Sequence, residues 1–109
     1  MKIDVFNKAV KEQLLACENL LIGKGREYAP DAENKADRLA HFKKAAVIIN
    51  GSSKEALLGM FAKHIVSISD MCTDSRSYPL RHWTEKITDS INYLLLLKAL
   101  VEEEANGNE

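Results

Sequence analysis

The chain has 109 residues, 46% hydrophobic and 28% charged, with a formal net charge of −1. That is one ordinary domain's length and too little for a second independent core. The near-neutral balance gives no field to draw nucleic acid or an anionic bilayer, so neither is expected as a partner. The longest apolar run, Tyr93 to Leu97, is far short of a membrane span.

The opening Met1-Lys-Ile-Asp-Val-Phe-Asn7 leads into charged, amphipathic sequence, and no secretory signal is read there. Cys17 and Cys72 are the only cysteines and form no Cys-x-x-Cys pair. Both are expected as reduced, packed thiols of a cytoplasmic protein.

The first predicted helix lies within residues 1–22. Val5, Ala9, Leu14, Cys17 and Leu21 recur at helical spacing, and Gly23-Lys-Gly25 is expected to end it. Residues 26–35, with Pro30 inside, read as a loop. A second helix is predicted over 36–49, with Leu39, Phe42, Ala46 and Ile49 inward and Asn50-Gly51 as its stop. Ser52-Ser-Lys-Glu55 has the spacing of a capping box, so a third helix over 53–72 follows. Its expected stripe is Leu57, Phe61, Ile65, Ile68 and Cys72. A polar turn containing Pro79 separates it from the last helix, over 80–104, and residues 105–109 should fray. No stretch alternates with period two, so no strand is expected. The fold class is all-α, with about four helices and a central antiparallel hairpin made by the third and fourth.

The last helix raises the question of function. At 100° per residue, Leu80, Trp83, Ile87, Ile91 and Leu94 gather on one side. Glu85, Asp89, Asn92 and Leu96 gather on roughly the other. From Leu94 onward the helix is apolar nearly all round, and such a helix must be covered all round. The face bearing Glu85, Asp89 and Asn92 is therefore expected to meet another helix or a second subunit, and the bundle to be completed as a homodimer or higher homo-oligomer. On the third helix Lys63, Ser67 and Asp70 lie along one flank. In an antiparallel hairpin Lys63 falls near Asp89 and Ser67 near Glu85, so two polar rows face one groove.

Two readings follow. In the first, Lys63 pairs with Asp89 or Glu85, Asn92 serves a backbone group, and the row is only the border of a seam. In the second, Asp70, Glu85, Asp89 and Asn92 offer hard oxygen ligands at helical spacing, a set that suits Mg²⁺ or Mn²⁺.

Glu85-x-x-x-Asp89-x-x-Asn92-Tyr93, Lys24-Gly-Arg-Glu27-Tyr28 and Asp37-Arg-Leu-x-x-Phe42 together resemble the MazG-like all-α nucleoside triphosphate pyrophosphohydrolases and the phage-encoded helical proteins around them. The resemblance runs from about Gly23 to Val101. It implies a Mg²⁺-dependent nucleotide pyrophosphohydrolase in which Glu85 and Asp89 are catalytic. Asp70 would join them in holding the metal. Lys24, Glu27, Tyr28, Arg38, Lys63, His64 and Asn92 would meet the nucleotide. One departure is plain: the family's Glu-Glu-x-x-Glu is replaced by Lys63-His-Ile-Val-Ser67-Ile-Ser-Asp70, in which only Asp70 is acidic. The alternative implied by that loss is a non-catalytic phage-type accessory or inhibitor protein that binds a nucleotide or a protein through the same groove.

Of the remaining polar residues, His64 sits at the edge of an apolar stripe and is read as a core histidine or a ligand. Arg38, His41 and Lys44 form a short basic row, read as solvated surface or a phosphate contact. Arg81-His82 opens the last helix and is read as part of a phosphate rim.

Overall fold

The computed structural model describes the backbone of residues 1–28 and 36–107, and the side chains of 1–23 and 36–107. Among the described residues there are four α-helices and no strand: α1 (Ile3–Tyr28), α2 (Ala40–Ile49), α3 (Ser53–Thr73) and α4 (Leu80–Ala105). The fold is all-α. The chain divides into two compact units, residues 1–36 and residues 37–109.

The first unit is carried by α1. The helix does not stop at Gly23 but runs to Tyr28. Glycine costs about 1 kcal/mol against alanine inside a helix, but it ends one only where it takes up a left-handed cap conformation. Among the described residues only Asn50 and Gly107 have positive φ, so Gly23 continues the helical path. Val5 and Leu14, expected inward, are both exposed. Residues 26–28 of the expected loop are helical, and 29–35 lie outside the described residues.

The second unit begins with Asp37, whose Oδ1 accepts from the Leu39 amide and Oδ2 from Lys43 Nζ. That local turn holds residues 37–39 out of the helix, so α2 starts at Ala40 rather than at Ala36. Leu39, Phe42 and Ala46 are buried as the spacing predicts, but Ile49 is exposed. Asn50 closes α2 in the left-handed conformation (φ 54°). One residue past Gly51, Ser52 Oγ accepts from the Glu55 amide at 3.1 Å while Glu55 Oε1 accepts from the Ser52 amide at 2.8 Å. The capping box therefore fixes where α3 starts.

α3 packs against both α2 and α4. Leu39, Phe42, Leu57, Phe61 and Leu100 form the buried core, with Met60, Tyr93, Leu96, Leu97 and Ala99 packed around it. Lys54 pairs with Glu104 at 3.0 Å, Leu57 and Leu100 share the core, and the His64 ring meets that of Tyr93. As α3 advances α4 recedes, so the two run antiparallel.

That register differs from the expected one. It sets Lys63 level with Leu94 and Leu95, not with Asp89. Tyr78 stacks on His82 and meets Trp83 edge-on. The connecting segment is thus occupied with its own packing, and α4 overshoots the end of α3.

The phase of α3 also differs. On α3 the inward stripe is Leu57, Phe61, His64 and Met71, while Ile65 and Cys72 are exposed. On α4 the most buried residues are Thr88, Asn92 and Leu100, while Leu80 and Leu94 are exposed. The inward face of α4 is therefore the one that carries Asn92. Neither cysteine is in a disulfide, and Cys72 is exposed rather than packed. No helix among the described residues is long and apolar enough to cross a membrane.

Candidate functional site

The inner faces of α3 and α4 meet around Tyr93. Its ring stacks on Phe61 at a centroid distance of 5.4 Å with 13° between planes, and tilts over His64 at 5.0 Å. These three rings form one aromatic strip across the α3–α4 seam. Beside Tyr93, Asn92 is only 6% exposed, and one turn earlier Thr88 is buried as well. A side chain so deeply buried normally has all its polar atoms bonded. Here two atoms do not: Asn92 Oδ1 and His64 Nδ1 are buried without a hydrogen-bond partner.

The carboxylates are arranged differently from the expected cluster. Asp89 is half-buried, one turn before Tyr93, whereas Glu85 and Asp70 are exposed. Lys63 is exposed too, and among the described residues it pairs with neither Asp89 nor Glu85. The structural reading of the row, in which Lys63 pairs with Asp89 or Glu85, is corrected by the register: Lys63 lies more than a turn before the part of α3 that is level with Asp89. Among the described residues, no three His, Cys, Asp or Glu side chains come close enough together to hold a metal ion. The side chains of Lys24, Glu27 and Tyr28 lie outside the described residues. Of the expected site, then, His64 and Asn92 lie at the seam, and Asp89 is half-buried one turn before Tyr93. Arg38, on the short turn before α2, is exposed.

A second polar feature had no signal in the sequence. Lys43 Nζ reaches Asp37 Oδ2 at 2.7 Å and Glu103 Oε1 at 2.8 Å, tying the start of α2 to the end of α4. Asp37 is held below the usual carboxylate range, first by Lys43 and then by the Leu39 amide, and Lys43 is raised by its two acceptors. An open cleft of about 350 Å³ adjoins it, lined by Lys43, Ser53, Leu100, Glu103 and Glu104. With Lys43 shared between two carboxylates, the cleft offers no spare cation to an anionic ligand. A spacing of six between Asp37 and Lys43 is not a helical pair, and Glu103 is sixty residues away, which is why periodicity did not reveal it.

His41 is exposed and lies edge-on to Phe42, and Lys44 is exposed. Arg81 is exposed, and His82 is committed to Tyr78. Asp74 is lowered by the Arg76 amide and guanidinium and by the Tyr78 hydroxyl, all of which donate to it. That cluster holds the connection between α3 and α4.

No family model, no curated protein and no solved structure matches this chain.

Proposed function

We propose that the chain is a non-catalytic helical binding protein whose α3–α4 seam takes a small polar ligand, with a nucleotide as the first candidate. One observation carries this reading: Asn92 Oδ1 and His64 Nδ1 are buried and unpartnered on either side of the seam. Each costs about 1–3 kcal/mol of stability if nothing bonds it. A protein retains such a cost where function uses the group, and binding sites are where unexplained polar atoms concentrate. The rings of His64 and Tyr93 at the seam are half-buried, so they border solvent as well as the core. A base fits the strip by stacking beside Tyr93, and its exocyclic amine, or a ribose hydroxyl, fits the Asn92 oxygen by donating to it.

The pyrophosphohydrolase reading rests on Asp89, which is half-buried and one turn from the aromatic strip. In that version Asp89 and Glu85 hold Mg²⁺ together with groups the ligand brings. Thermal melting with a panel of nucleotides, with and without Mg²⁺, separates the versions. A ligand that binds only the folded state at one hundred times its Kd adds about 2.7 kcal/mol. A nucleotide-dependent rise without pyrophosphate release supports the binding protein. A Mg²⁺-dependent rise with pyrophosphate release, lost in Asp89→Asn, supports the enzyme. No shift with any nucleotide removes both.

A further inference from the structure

Hydrogen-bond polarity at the seam decides which base fits it. Among the described residues, Asn92 Oδ1 and His64 Nδ1 are the buried side-chain oxygen and nitrogen left without a partner. Asn92 Oδ1 can only accept. His64 Nδ1 carries a proton in one tautomer and a lone pair in the other. The other ring nitrogen, Nε2, is not shut in without a partner. A buried N–H with nothing to donate to is rarer in proteins than a buried acceptor left bare. In the uncharged ring the proton therefore belongs on Nε2, and Nδ1 meets the seam as a lone pair. Asn92 is the neighbour of Tyr93 on α4, and the His64 ring on α3 lies 5.0 Å from the Tyr93 ring. Two acceptors thus stand beside an aromatic strip. Asp89, half-buried one turn before Tyr93, adds a further acceptor rather than a donor.

We infer, resting on the seam as a nucleotide site, that it selects a planar edge with two neighbouring N–H donors, which among the common bases is the N1–H and N2–H₂ edge of guanine. Adenine sets its amine beside a bare ring nitrogen, and so does cytosine. Uracil offers one N–H between two carbonyl oxygens, and hypoxanthine one N–H beside a C–H. Each of these leaves a buried acceptor unbonded or turns a second lone pair towards it. Guanine bonds both acceptors and still has a ring face to stack beside Tyr93. A guanidinium group carries the same pair of donors and is also drawn to an aromatic face.

The 5′-monophosphates of guanosine, inosine and adenosine share ribose and phosphate, so differences among them report the base edge. Thermal melts of the full chain at rising concentrations of each give the affinities, with methylguanidinium chloride as a separate arm. The guanosine nucleotide is expected to bind tightest. The inosine nucleotide lacks only the 2-amine and leaves one acceptor unpaired, so it should bind on the order of ten- to a hundredfold more weakly. The adenosine nucleotide should be no better. In His64→Phe, which keeps a ring at the seam but removes Nδ1, the gap between the guanosine and inosine nucleotides should be lost, because one donor then suffices. Circular dichroism checks the fold of that variant, and the comparison in the unaltered chain does not depend on it. Inosine or adenosine nucleotides that bind as tightly as the guanosine nucleotide overturn the donor-pair proposal and leave the nucleotide reading standing. So does a gap that persists in a folded His64→Phe chain. A rise with methylguanidinium and none with any nucleotide supports the donor pair and removes the nucleotide. No rise in any arm removes both.

Discussion

Replacing Asn92 with leucine should make the protein more stable and less able to bind. Asn92 is 6% exposed, on the inward face of α4, and its Oδ1 has no partner. Leucine has nearly the same volume and removes the unbonded oxygen, which is worth about 1–3 kcal/mol. The misfit of a branched side chain in a site shaped for an amide offsets up to about 1 kcal/mol of that gain. The net expectation is a gain of about 1–2 kcal/mol, or a melting temperature higher by about 4–16 °C for a unit of this size. The assay is a reversible thermal melt followed by circular dichroism, run in parallel with and without the best nucleotide. The nucleotide-dependent rise seen in the wild type should disappear in Asn92→Leu. A fall in melting temperature would refute the reasoning, because it would mean that the amide stabilises the seam rather than burdening it. Such a trade of stability for function is what a binding group inside a core is expected to show.

Leu57, at 1% exposure in the centre of the core, should lose about 3 kcal/mol on Leu57→Ala, read from chemical denaturation at constant m-value. Ser52→Ala removes the acceptor that fixes the start of α3 and should cost about 1 kcal/mol by the same measurement. The Lys43 network sets a pH dependence of known sign. Asp37 is depressed when folded, so its contribution is present above the ordinary carboxylate pKa and is lost as pH falls through the folded value. Lys43 is raised, so its contribution is full below its ordinary pKa and is lost as pH rises through the folded value. Melts of wild type and Asp37→Asn should therefore differ near neutral pH and converge in acid. Equal separation at pH 2 and pH 7 would contradict the assignment.

Much of this fold was legible because its punctuation is local. The Ser52–Glu55 box and Asn50-Gly51 are short-range chemistry, and each turned up where its spacing placed it. What misled was phase and register. On α3, Ile65 and Cys72 continue the apolar spacing of Leu57 and Phe61, yet it is His64 and Met71 that turn inward. Hydrophobic spacing identifies a helix. It does not say which of two apolar faces a small unit will cover when there is more apolar surface than core. The register was missed for a different reason: the stacking of Tyr78 on His82 joins residues across a turn, and no periodicity reports that. For the site, Asn92 was singled out in the polar row and its face expected to be covered by the apolar run beyond it, while the missing partner of its Oδ1 is visible only in three dimensions.

The claim that the α3–α4 seam is a binding site is tested most directly by mapping amide chemical shifts while the best-stabilising nucleotide is added. The account predicts perturbations concentrated at Phe61, His64, Asp89, Asn92 and Tyr93, saturating with a single affinity. Perturbations centred instead on Lys43 and Glu103, or none on either side of the seam at saturating nucleotide, would contradict it.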